Sequence, residues 1–274
     1  MSLIEAIVLG IVQGLTEFLP ISSTGHLRIV PAIMGWEDPG AAFTAVTQLG
    51  TMAAVLIYFR ADLNRIARAW LRSLRDKAAR RELDARLGWY IVLGTIPIGI
   101  FGLAFKDQIE TGARDLYLIG VALIVLGLVL LVAERVGTRE RNLEQITRRD
   151  GLAIGFAQAL ALVPGVSRSG ATITAGLFMG LDRTAAARFS FLLSIPAVVL
   201  SGGLELGSIV SGEEGDDTSA VALLVATLLA FVSGYASIAF LLSFLTRHST
   251  VVFVVYRVAL GVLVLALVGA GAID

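Results

Sequence analysis

The chain has no cysteine, which excludes disulfides, thiolate nucleophiles and cysteine-bound metals and leaves the compartment unread. Charge is scarce. Only 16% of the 274 residues are Asp, Glu, Lys or Arg and 56% are hydrophobic, where a soluble domain carries about 25% charged and about 45–50% apolar residues. No Gly-rich nucleotide loop follows a strand, and no zinc-type spacing occurs. A positively charged stretch ahead of the first apolar run is missing, and Glu5 falls inside that run, so a cleaved signal peptide is not expected.

What is there is apolar, with a mean hydropathy of +0.83, and the composition predicts an all-α polytopic membrane protein. Runs long enough to cross a hydrocarbon core, which takes about 20 residues in a helix, lie at 42–59, 88–105, 116–133, 186–206, 219–244 and 250–271. These make six full transmembrane helices. Formal net charge is zero, but nine Lys/Arg against four acids fill Arg60 to Arg86, and Arg135, Arg139, Arg141, Arg148 and Arg149 fill a later connection. The positive-inside rule puts both segments in the cytoplasm. With Trp70 as its lone aromatic, the 60–86 segment reads as an amphipathic helix near anionic headgroups rather than a nucleic-acid site. The Lys106 to Asp115 connection, and the one carrying Glu213, Glu214, Asp216 and Asp217, then fall outside.

Two polar, helix-breaking stretches interrupt the apolar background. The first is Gln13-Gly-Leu-Thr-Glu17-Phe-Leu-Pro20-Ile-Ser22-Ser23-Thr24-Gly25-His26; the second is Gln158-Ala-Leu-Ala-Leu-Val-Pro164-Gly-Val-Ser167-Arg168-Ser169-Gly170. A bilayer cannot satisfy opened backbone, so such stretches survive at membrane depth only when buried in protein or lining a cavity. The charge topology makes each a re-entrant hairpin, one entering from each face. The chain then divides into two inverted-topology repeats within one membrane domain. Residues 1–140 hold a hairpin at about 3–36 and three spans; residues 145–274 hold a hairpin at about 151–181 and three spans. Paired broken helices of this kind place a binding site near the midplane.

Gln13 and Glu17 are four apart and share a helical face, and a carboxylate at membrane depth reads as functional by default. Pro20 ends that helix, and Ser22-Ser23-Thr24-Gly25 offers hydroxyls and open amides that suit an oxyanion where a new helix begins. His26 can serve as acid or base near neutrality; His248, beside Arg247 in a short turn, reads as structural or solvated. Arg168 stands among Ser167, Ser169 and Gly170, and a guanidinium grips phosphate through two parallel bonds. It can equally be neutralised by Glu17 across the midplane. Together these groups suffice to hydrolyse a phosphate anhydride at a membrane.

The first motif together with Pro164-Gly-Val-Ser167-Arg168-Ser-Gly-Ala-Thr172 closely resembles the bacterial undecaprenyl-diphosphatase family, known also as the bacitracin-resistance or BacA family. The resemblance implies release of inorganic phosphate from undecaprenyl diphosphate on the outer side of the bacterial cytoplasmic (inner) membrane, recycling the lipid carrier of peptidoglycan synthesis and conferring bacitracin resistance. It implies a divalent cation, Mg²⁺ or Ca²⁺. It also maps the family's acidic position to Glu17, its serine pair to Ser22 and Ser23, its histidine to His26 and its arginine to Arg168. Many members have Glu where this chain has Gln13, so one anionic metal ligand is missing and Glu17 is left to hold the cation. The expected catalytic set is Glu17, Ser23, His26 and Arg168; the expected phosphate-binding set is Gln13, Ser22, Thr24, Gly25, Ser167, Ser169 and Gly170. Expected partners are a polyprenyl diphosphate and membrane lipid, with a homodimer admitted and nucleic acid excluded. A lipid-phosphate flippase using the same site is the alternative. Another lipid phosphatase class fits less well, because its Ser-Arg signature is followed by a histidine and none follows Arg168 until His248.

Overall fold

A computed structural model describes residues 1–105, 115–210 and 219–273. The acids Glu213, Glu214, Asp216 and Asp217, and most of the connection opened by Lys106, lie outside the described residues. Eleven helices and three short 3₁₀ turns, and no strand, occur among the described residues: α1 Leu3–Phe18, α2 Ser23–Met34, α3 Gly40–Tyr58, α4 Arg60–Arg75, α5 Leu83–Ala104, α6 Leu116–Val136, α7 Arg148–Ala159, α8 Arg168–Phe178, α9 Arg183–Val210, α10 Ala220–Leu245 and α11 Val251–Gly269. Five of them are long and apolar enough to cross a membrane. They are α5, α6, α9 over Arg183–Gly202, α10 and α11, and α3 adds a sixth when joined to α4 across a 72° bend. Multi-pass membrane architecture follows. The amphipathic segment expected after residue 60 is α4, with Ile66, Ala69 and Ser73 buried against the bundle.

Helices α1 and α2 are one broken pair, and α7 and α8 the other. Small residues set how closely each packs. Gly10 and Gly14 of α1 leave no room for a side chain against the backbone of Ala226 and Ala230, and Ser233 and Ser237 of α10 donate to the carbonyls of Ile11 (3.3 Å) and Leu15 (2.8 Å). Helix α1 therefore runs alongside α10 from its beginning and stops part-way along it. Helix α2 then turns back beside α6 and α11, with Ile29 packed among Leu116, Ile119 and Val264.

The second pair repeats this against other helices. Gly151 abuts Tyr90 and Gly155 abuts Gly94, so α7 follows α5 from its beginning; α8 returns along α6, bringing Leu177 against Gly137. The first pair opens at the end of the bundle where α10 begins and α11 finishes. The second opens at the other end, where α6 finishes and α11 begins.

A cluster of ion-paired arginines lies at that second end. Glu134 at the close of α6 accepts from Arg183, from Arg139 (2.8 Å) and from the Thr250 hydroxyl (2.7 Å). Arg188 reaches Asp62 at 2.7 Å, tying α9 to α4, and Arg65 reaches Asp84 at 2.7 Å. Arg141 binds Asp150 at 2.5 Å, fixing the entry of the second broken pair.

The α5–α7 crossing is tight enough to test. A Cβ on Gly155 would lie 2.4 Å from the Gly94 Cα, whereas one on Gly99 would meet nothing within 4 Å. Gly155→Val is expected to cost about 1–3 kcal/mol by overpacking, read as a lowered melting temperature in detergent, while Gly99→Val stays at the wild-type value.

Candidate active site

The two breaks share one local geometry. Ser22 (φ 75°, ψ 100°) caps α2 and its hydroxyl accepts from the Gly25 N–H; Ser167 (φ 71°, ψ 115°) caps α8 and accepts from the Gly170 N–H. Left-handed φ at a non-glycine residue is uncommon, and held twice at corresponding positions it marks strain that the surrounding structure overcomes. Serine suits the position because its oxygen satisfies an orphan N–H of the following helix. Gly170 is required for space: a Cβ there would come within 2.6 Å of the Arg257 guanidinium.

Between the breaks lies one carboxylate with three donors. Glu17 accepts from Gln13 Nε2 at 3.2 Å, from Ser23 Oγ at 2.6 Å and from Arg168. The Glu17 and Arg168 side chains are only 8% and 18% exposed, so the pair lies within protein and its hydrogen bonds are charge-assisted. The α1 helix supplies Gln13 and Glu17 from one face, the first break supplies Ser23, and the second delivers Arg168 from the other half of the chain.

The remaining expected residues are distributed around this centre. Ser22, Gly25, Ser167 and Gly170 form the two caps. Ser169 donates to the Leu19 carbonyl (3.0 Å), bonding one break to the other. Thr24 is exposed. His26 is buried: Nδ1 donates to the Ser22 carbonyl at 2.6 Å, and Nε2 lies 2.6 Å from the Tyr256 hydroxyl. Both of its nitrogens are thus engaged by groups other than Glu17.

Arg257 and Tyr256 were missed by the sequence reading. Arg257 is fully buried and donates to the Pro20 carbonyl of the first break (3.2 Å), to Gly165 (3.2 Å) and Val166 (3.0 Å) of the second, and to Leu123 (3.3 Å) and Ala122 (3.4 Å) of α6. A signal existed, since a charge in the middle of the apolar run 251–269 is costly and reads as functional by default.

A cation has limited anchorage. Among the described residues no group of three or more His, Cys, Asp or Glu could hold a metal ion. The Oε1 of Gln13 is buried without a hydrogen-bond partner while its Nε2 faces Glu17; a flip of the amide exchanges the two atoms, and Gln13 and Glu17 then supply two oxygen ligands. That fits a hard divalent ion that takes one or two protein ligands and completes its shell with water and substrate phosphate.

Fold and site together define a polytopic membrane protein with a carboxylate, a hydroxyl and a guanidinium converging at two helix breaks. The chain belongs to the BacA family: the model described as bacitracin resistance protein BacA matches residues 6–263. It is 57% identical to the undecaprenyl-diphosphatase of Mycolicibacterium smegmatis (99% of this chain, 98% of that one). It is 57% identical to that of Myxococcus xanthus (99% and 91%) and 52% identical to that of Nocardia farcinica (100% and 98%).

Proposed function

We propose that this protein is an integral-membrane phosphatase that hydrolyses undecaprenyl diphosphate to undecaprenyl phosphate and inorganic phosphate, and through that activity confers bacitracin resistance. The observation that carries the reading is the Glu17 carboxylate held at once by the Ser23 hydroxyl and by Arg168 from the other half. The Arg-rich end of the bundle then lies in the cytoplasm. The two broken pairs are re-entrant hairpins of inverted topology, and the site opens to the outer side of the cytoplasmic membrane.

In this mechanism Arg168 exchanges Glu17 for the terminal phosphate and stabilises the charge on its oxygens. Ser23 Oγ attacks that phosphorus while its proton passes to Glu17, already 2.6 Å away. The anhydride P–O bond breaks as Glu17 passes that proton to the departing undecaprenyl phosphate, and the carboxylate so regenerated takes a proton from a water that attacks the phosphoserine, releasing inorganic phosphate and restoring the hydroxyl. His26, braced between Ser22 and Tyr256, holds the first break in shape. A divalent cation, when bound, would neutralise phosphate charge, with Glu17 and Gln13 as its protein ligands.

Two measurements test this. Rapid quench with terminally labelled substrate is expected to trap phosphate on Ser23, and Ser23→Ala is expected to lose about 10²-fold or more of turnover; full turnover by that variant assigns the attack to water. Chelation is expected to abolish phosphate release and Mg²⁺ or Ca²⁺ to restore it, whereas activity that survives chelation removes the cation from the reaction.

Broken pairs opening at opposite ends also suit alternating access. The second reading is therefore inward flipping of the carrier lipid phosphate, measured as movement of labelled lipid across sealed vesicles.

A further inference from the structure

A concave apolar groove of about 650 Å³ lies against the second break. Its walls include Phe101 and Phe105 at the end of α5, Phe156 and Leu160 at the end of α7, and Val163 and Pro164 of the break itself. The volume falls within the roughly 300–1,000 Å³ of small-molecule sites. Exposed apolar surface is ordinary on a membrane protein. What distinguishes this surface is its concavity and its place on the second break, for its lining includes Pro164, three residues along the chain before the Ser167 cap and four before Arg168.

Helix α7 divides two environments. Ala157 and Ala159 line the groove, whereas Gln158 between them is fully buried, with both its amide oxygen and its amide nitrogen unpartnered. One side of the helix is apolar and open towards lipid; the other carries a polar group into the bundle. An amphiphile with a charged head and a long hydrocarbon tail has the matching polarity.

We infer that this groove binds the polyprenyl chain of the diphosphate substrate, beginning with the isoprene units nearest the head group; the inference rests on the phosphatase reading above. Lipid tails are as apolar as the groove, so the gain lies in close packing and position rather than in removal from water. The groove fixes where the chain leaves the site, and so aligns the terminal phosphorus with Ser23.

The test uses the purified full-length protein in detergent with two substrates, undecaprenyl diphosphate and farnesyl diphosphate. Ala157→Trp, which fills the groove, is expected to lower the ratio of kcat/KM for the long over the short substrate by at least about fivefold. Val232→Trp, on the exposed face of α10, is the control for a bulky lipid-facing substitution. A photoreactive polyprenyl diphosphate applied to the wild type is expected to label the peptide around 156–164, in competition with unlabelled polyprenyl diphosphate. An unchanged ratio, or labelling displaced only by bulk phospholipid, overturns the groove while leaving the phosphatase reading intact. A wild type that releases phosphate from neither substrate overturns the phosphatase reading, and the groove with it.

Discussion

Arg168→Lys is expected to lower phosphate release by about 10²–10³-fold, the usual loss when one preorganised donor to transition-state charge is removed. Lysine keeps the charge, so the Glu17 carboxylate retains a counter-ion and the fold is expected to survive. What disappears is the planar fork that meets two phosphate oxygens at once. Melting temperature close to wild type with turnover down by that factor is therefore the expected pair of results. Near wild-type turnover would mean that Arg168 serves only to neutralise Glu17, and the phosphate grip would have to be sought elsewhere.

Arg257→Met is expected to be the most damaging single substitution for stability. Three main-chain carbonyls of the two breaks, those of Pro20, Gly165 and Val166, lose their donor, while those of Leu123 and Ala122 keep their bonds within α6, and a buried polar group left unbonded costs about 1–3 kcal/mol. The sum is several kcal/mol, a large fraction of the roughly 5–15 kcal/mol that holds a typical protein folded. Arg257→Lys, with three donors on one nitrogen, is expected to recover part of the loss in melting temperature. If Arg257→Met matched wild type in both melting temperature and phosphate release, the carbonyl contacts would have to be energetically idle.

Much of this was legible in the chain because the signals are local. A long apolar run predicts a span wherever it occurs, and the six runs coincide with α3, α5, α6, α9, α10 and α11 to within a few residues at most ends. Both breaks showed as Pro followed by Ser and Gly, and the meeting of Glu17 with Arg168 was one of the two partnerships the sequence left open for that arginine, the other being phosphate. The family resemblance stood on the same residues. The partners of His26 and Arg257 were not legible. Tyr256 lies 230 positions from His26, and nothing in an apolar run says which of its aromatic residues will face a given histidine. Arg257 was overlooked for a related reason: its partners are carbonyls, which every residue carries, so no side chain elsewhere in the sequence announces them.

That last property has a consequence for how the protein can change. A guanidinium bonded to peptide oxygens does not read the side chains at Pro20, Val166, Leu123 and Ala122, provided the main chain keeps its course, whereas Gly165 and Gly170 must stay glycine because a Cβ at either would strike α6 or Arg257 itself. Outside those glycines and the two serine caps, the breaks can therefore be edited, toward another head group or another cation, without disturbing the bolt that joins the two halves of the molecule. Arg257 itself has no such latitude.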